Sequence, residues 1–412
     1  MRYPMLRRSL TAFTAIGTVG FALSMVTTAA AGGMTQSGQT LYVAPNGSDT
    51  NACTAHAPCA TVTHAVAVAH SGNTILVAPG TYAGTVTVTQ KLHLKGSAPG
   101  VVINAAGDLN GIGLGVVFLS PTSVMPAGNA SGSTVRGFTI ENANQEGIVA
   151  VGNDLTITGN IVAHDDLGAF VPGATGECAA QGTTPGDCGE GIHLGGVTHS
   201  LISDNSISGN TGGILVSDEL GPTAWNTISD NTIVNNDSDC GITLAAHNGN
   251  ALSSTGTLQP TQGGVYDNSI VDNTSDANGA SGIGFFASGP GTAVYDNVAS
   301  GNHVQGNGLP GVAIHTHSPD ADANGNQLIG NWFSDNGLGI PAFGVPPGDP
   351  GTPVDTTTDL DVVSDPGATP ITGTVIANNH FANVQTGMWL ITTGTTHRHD
   401  NTFSDVVTHR IG

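Results

Sequence analysis

Two short units recur along most of this chain, and that recurrence restricts the fold more than any other property of the sequence. The first is Asn followed by a short apolar segment: Asn160-Ile161-Val162, Asn205-Ser206-Ile207, Asn231-Thr232-Ile233, Asn268-Ser269-Ile270, Asn297-Val298, Asn331-Trp332-Phe333 and Asn401-Thr402-Phe403. The second is Gly followed by alternating apolar residues, starting at Gly147, Gly191, Gly213, Gly241, Gly282, Gly311, Gly339 and Gly387. From Gly191 to Gly339 successive starts fall 22, 28, 41, 29 and 28 residues apart, a base period in the twenties with long insertions. Each segment alternates with period two and so reads as a strand. Gly, Asn and Asp between the segments tolerate left-handed backbone and make tight corners.

One such coil cannot bury its inward face alone, so the coils must stack and pair strand with strand. The pattern predicts an all-β fold, a right-handed parallel β-helix. Ile192, Ile214, Ile242, Ile283 and Val312 are expected to form one inward stack, and Leu194, Val216, Leu244, Phe285 and Ile314 the next. Asn160, Asn205, Asn231, Asn268, Asn297 and Asn331 are expected to form one internal amide ladder at a corner.

The N-terminal part departs from the repeat, as terminal units of a solenoid should. Arg2, Arg7 and Arg8 precede an uncharged apolar run, and Ala29-Ala30-Ala31 offers a small-residue cleavage site, so residues 1–31 read as a signal peptide and the protein as secreted. The rest is expected to be one domain, with residues 32–105 as an N-terminal cap module and 106–412 as coils. Thr61–Ala69 reads as a short capping helix, with Val62, Ala65, Val66 and Ala69 on one face. In an exported chain, Cys53 with Cys59 and Cys178 with Cys188 read as two local disulfides, leaving Cys240 as a free thiol in a strand.

At this point the sequence resembles a family. Tyr42-Val43, the Asn46-Gly47-Ser48-Asp49 turn, the capping helix and Ile75-x-Val77-x-Pro79-Gly80-Thr81-Tyr82 are similar to the start of the pectin lyase-like, right-handed parallel β-helix superfamily. The Gly and Asn repeats from Gly147 onward resemble it too. The resemblance implies the fold. It leaves the activity among polysaccharide lyases, polygalacturonases, uronan epimerases and non-enzymatic surface proteins.

Chemistry is expected where polar residues gather on the outward face of the Gly-started strands. His193, Asp218, Glu219, His247 and His315 are the candidate catalytic residues; Asp165, Asp166, Glu190, Ser217 and His317 are candidate substrate contacts. Insertions at 165–189, 248–263 and 341–372 are expected to wall this face into a groove suited to an extended polysaccharide. Carboxyl pairs would serve glycoside hydrolysis. A histidine base would serve a lyase or epimerase, with Ca²⁺ held by acidic groups neutralising a uronate. His247, His315 and His317 with Asp218 would suit a metal. The alternative is a non-catalytic surface or carbohydrate-binding scaffold.

Composition narrows the partners. Eight Lys and Arg stand against 30 Asp and Glu, a net charge of −22, which disfavours nucleic acid. Beyond the N-terminal run no stretch could span a bilayer, and a monomer is expected. Several signatures of the resembled enzymes are missing. The Arg or Lys base of pectate lyases has no counterpart, since Lys91, Lys95, Arg136, Arg398 and Arg410 are not expected on the polar face. The Asn-Thr-Asp, Gly-His-Gly and Arg-Ile-Lys motifs of polygalacturonases and the Asp-Pro-His-Asp motif of alginate epimerases are absent as well.

Overall fold

A computed structural model describes residues 38–106, 114–120, 128–165, 189–339 and 357–412. The chain winds as a right-handed parallel β-helix of three sheets, with 12, 11 and 14 strands among the described residues. One turn shows the plan. Thr227–Ser229 lies in the first sheet, Thr232–Val234 in the second and Ile242–Ala246 in the third, after which the chain returns to the first at Ser269–Val271. Every strand pair is parallel. In the third sheet, Ile192, Ile214, Ile242, Ile283 and Val312 stand in register, as do Leu194, Val216, Leu244, Phe285 and Ile314. All ten are fully buried, so the two inward stacks form as the alternation requires.

The corners hold three asparagine ladders rather than one. Asn226, Asn268, Asn297 and Asn326 line the corner between third and first sheets. Asn160, Asn205, Asn231, Asn273, Asn302, Asn331, Asn379 and Asn401 line the corner between first and second. Asn210, Asn236, Asn278, Asn307 and Asn336 line the third corner. In each ladder the side-chain N–H₂ donates to the Oδ1 of the next coil. Asn268 and Asn297 therefore leave the ladder expected for them. Within one coil the Asn residues recur every five positions, so units from different sheets look alike in sequence. The residue before a ladder position takes positive φ, as at Asp204, Asp230, Asp272 and Asp296, where Asp bears the left-handed backbone at low cost.

The bottom is closed by a helix, Val62–Val68, whose N-cap Thr61 accepts from the His64 N–H. Val62, Ala65 and Val66 pack into the core. The Cys53–Cys59 disulfide forms beside it, with Cα atoms 4.6 Å apart. Cys240 is a free, buried thiol, pushed up by burial and by Asp239. Cys178 and Cys188 lie outside the described residues.

Thr358–Ser364, inside the stretch expected to bulge, is a strand of the third sheet paired with Val312–Thr316. In this coil Asp359, and not Gly339, stands in register with the glycine that starts the neighbouring strand.

Candidate functional site

The outer face of the third sheet is built from the residues that alternate with the inward stacks. His193 stands in a row with Leu215, Thr243, Gly284, Ala313 and Asp361, and Ser217 in a row with Ala245, Phe286, His315 and Val363. Much of this face is covered: Leu215, Ser217, Thr243, Ala245 and Ala313 are buried. Polar side chains gather in two places on it.

The first cluster centres on Glu219. Its Oε1 lies 2.6 Å from His247 Nδ1, and its Oε2 lies 3.4 Å from His193 Nε2 and accepts from the Ser217 hydroxyl. Ser217 Oγ is 2.9 Å from His193 Nε2, and His193 Nδ1 is 4.0 Å from Glu146 Oε1. Because Glu219 can only accept, it fixes the His247 proton on Nδ1 and makes Nε2 the basic nitrogen of the neutral ring. Burial works to raise the Glu219 carboxyl, but His193 and His247 outweigh it and hold the group well below the usual carboxylate range. His247 has 28% of its side chain exposed against 6% for His193, so His247 is the member of the pair that a large substrate can meet.

Asp218 points elsewhere. Its Oδ1 accepts from the backbone N–H of His247 and Asn248 at 2.7 and 2.9 Å, and its Oδ2 accepts from that of Gly264. It thus clamps both ends of the 248–263 loop and sets the position of His247. Burial pushes its carboxyl up to about 6, against the pull of those three amides.

The second cluster lies three rungs from Ser217, or about 14 Å at the strand spacing of a sheet. His315 Nε2 is 3.0 Å from Asp361 Oδ1, in ion-pair range but off the line of a hydrogen bond. His317 Nδ1 is 3.1 Å from Asp365 Oδ2. His315 meets Phe286 and His317 edge to face. Burial and the neighbouring His315 lower the His317 imidazole. The expected histidines therefore form two groups and not one pocket.

The remaining candidates divide. Asp165 is an interior ladder residue: its Oδ1 accepts from the Ala143 N–H and its own N–H donates to Asn210, so it does not face a substrate. The corner geometry that turns asparagines inward turns Asp165 inward too. Glu190 is buried at the start of its strand. Asp166 lies outside the described residues. Sequence reading missed Glu146 and Asp361. Glu146 precedes Gly147 as Glu190 precedes Gly191, a correspondence visible in the repeat; Asp361 was hidden because its strand lacks the glycine that marks the others.

Asp218 and Glu219 do not fit a Ca²⁺ cage, which takes about six to eight oxygens. Both Asp218 oxygens are engaged by amides, and Glu219 by two imidazoles and a hydroxyl. Among the described residues, the one group of three ligand-type side chains within mutual reach is Cys53, Cys59 and His64, whose two sulfurs are bonded to each other. Nor, among the described residues, does a Lys or Arg enter the outer face of this sheet. Arg410 lies on the sheet's last strand, in the row of the inward-facing Met388.

Residues 127–333, half of the chain, match the family described as right handed beta helix region. The chain belongs to this family of right-handed β-helix proteins. No curated protein matches it. Among solved structures it is similar to the pectate lyase Pel9A, at 15% identity and a TM-score of 0.55, covering 89% of this chain and 80% of that one. It is also similar to DFA-IIIase from Arthrobacter chlorophenolicus A6, at 14% identity and a TM-score of 0.53, covering 82% and 81%. At such identities the likeness shows the fold.

Proposed function

We propose that this is a secreted carbohydrate-active β-helix protein that cleaves an extended polysaccharide by acid–base chemistry at the His247–Glu219 dyad. The carrying observation is the 2.6 Å contact that orients His247 with a charged carboxylate at the accessible edge of the outer face. A carboxylate behind an imidazole fixes its tautomer and stabilises the imidazolium formed when it takes a proton. The leader sequence and the Cys53–Cys59 disulfide support action outside the cell. The carbohydrate enzymes among the structural neighbours support the substrate class.

One dyad favours elimination over hydrolysis. Hydrolysis needs two carboxyl groups facing each other across the bond. Of the carboxylates near Glu219, Asp218 is turned into the loop, and Glu146 and Glu190 are buried. Elimination needs one base beside an acidified C–H. Among the described residues the face offers no Lys or Arg to neutralise a uronate, so an uncharged uronide ester fits better: its carbonyl acidifies the proton without a charge to offset. His247 Nε2 takes that proton, the electron pair forms the C=C bond, and the C–O bond breaks, the leaving sugar oxygen taking a proton from water.

The test is a panel of esterified and de-esterified uronans and neutral glycans, read for new reducing ends and for the ultraviolet absorbance of an unsaturated product. Esterified uronan should give both signals. Glu219→Gln and His247→Ala should each lower the rate by about 10²-fold or more, the range for a lost general base or its partner. Reducing ends without absorbance would overturn elimination; no product across the panel would favour a non-catalytic binding protein.

A further inference from the structure

The second sheet carries a feature that the groove chemistry does not use. On its outer face, Ser206, Thr232, Thr274, His303, Trp332 and His380 stand in one row on successive coils. From Ser206 to Thr274 the row is small and polar, and it then carries three aromatic rings in succession. Trp332 is 47% exposed. Its ring centroid lies 5.8 Å from that of His303 and 5.1 Å from that of His380. The core gains nothing from this ring, because the next residue, Phe333, already fills the interior and stacks on Phe381.

The borders of the ring are polar and hold their groups in place. Asp276 lies 3.3 Å from His303 and accepts from the Gln305 N–H. Gln305 and Asn383 donate to Asp335 at 3.2 and 3.4 Å. His380 is fixed between Thr402 and Ser404. An exposed indole flanked by amides and carboxylates matches the two-sided chemistry of a sugar. The C–H face of a pyranose packs on the ring, and its hydroxyls donate to Asp276 and Asp335 and accept from Gln305 and Asn383. The two carboxylates, and the net charge of −22, repel a polyanion.

We propose that the His303–Trp332–His380 column is a non-catalytic binding platform for an uncharged polysaccharide, on a different sheet from the groove. Three rungs of a sheet span about 10 Å between the outer rings, enough for two or three sugar residues. The platform holds the protein on a neutral glycan while the groove works elsewhere on the same material.

Affinity electrophoresis tests it, with native protein run through gels containing soluble starch, xyloglucan, mixed-linkage glucan, galactomannan or polygalacturonate. At least one neutral glycan should retard the wild-type protein, and Trp332→Ala should weaken that retention by about tenfold or more. Trp225→Ala removes the other strongly exposed tryptophan and should leave retention unchanged, as should Glu219→Gln. The Glu219 variant separates the two readings, since it addresses turnover and not the platform. Circular dichroism should be the same for Trp332→Ala and wild type. The proposal fails if no neutral glycan retards the protein, if only polygalacturonate does, or if Trp332→Ala is retained like wild type. It also fails if the substitution instead converts a sedimenting dimer to monomer, which would make the face a contact between two copies.

Discussion

Asp218 shows how a candidate catalytic carboxylate can be a positioning residue. All three of its hydrogen bonds come from backbone N–H groups at the two ends of one loop, and the first belongs to His247 itself. Asp218→Ala would leave those three buried donors without an acceptor. A single orphaned group costs roughly 1–3 kcal/mol, so a loss of several kcal/mol in stability is expected. Activity should fall with it, because His247 loses its anchor. Asp218→Asn keeps one acceptor oxygen and should lose less of both. Thermal unfolding and turnover measured on the two variants check this. Wild-type stability in Asp218→Ala would show that the loop is held by something else. From sequence, Asp218 reads as an outward carboxylate and a candidate catalytic group. Its burial depends on the loop folding back over it, which the strand pattern does not contain.

At the scale of the coil, what was legible followed from local periodicity, and what was not depended on phase. Inward stacks such as Ile192 to Val312 were readable because alternate residues must share a side of a strand. The ladders were readable as ladders but not by membership, since Asn231, Asn268 and Asn273 carry similar neighbours and only the coil's closure decides which of them meet. Asp359 masked a strand for the same kind of reason: it replaces the marker glycine, and its side chain turns inward to accept from the last amide of a ladder, Asn336, at 2.8 Å. Burial pushes the Asp359 carboxyl up to about 7, against the pull of that amide. The folded value is above the unfolded one, so this group's contribution is fully present below pH about 4 and is lost as pH rises through about 7. Asp359→Asn keeps the acceptor and removes the charge. It should therefore be more stable than wild type above pH 7, by an amount on the order of 4 kcal/mol at most, with the gain vanishing near pH 4. Denaturant unfolding of both proteins from pH 4 to 8 reads the difference directly; a gain that does not grow with pH would refute the charge as its cause.

Across the whole molecule, stability is a sum of coils and the contacts between neighbours, so position along the axis should matter more than distance from the site. In the middle coils the strands of all three sheets pair on both sides, apart from the short edge strand Val294–Tyr295. Their ladder residues also bond both ways, as Asn273 does by accepting from Asn231 and donating to Asn302. The final strands, Thr396–His399, Thr402–Ser404 and Thr408–Ile411, pair on one side only, and most of their side chains are exposed. At the other end the helix Val62–Val68 and the Cys53–Cys59 disulfide cover the core without extending all three sheets. Local opening should therefore start from the last coil, where the fewest contacts are lost. Hydrogen exchange followed by mass spectrometry should show a plateau of slow amides from about residue 200 to residue 336, exchanging together through global unfolding. Peptides covering 396–411 should exchange far faster and independently of denaturant at low concentration. Asn273→Ala, in the middle of the longest ladder, should break the plateau into two parts, because the coils on either side lose a shared bond to each other. Asn401→Ala, at the end of the same ladder, should leave the plateau intact. Uniform protection to the last strand, or a plateau that survives Asn273→Ala, would mean that the ladders are not what couples one coil to the next.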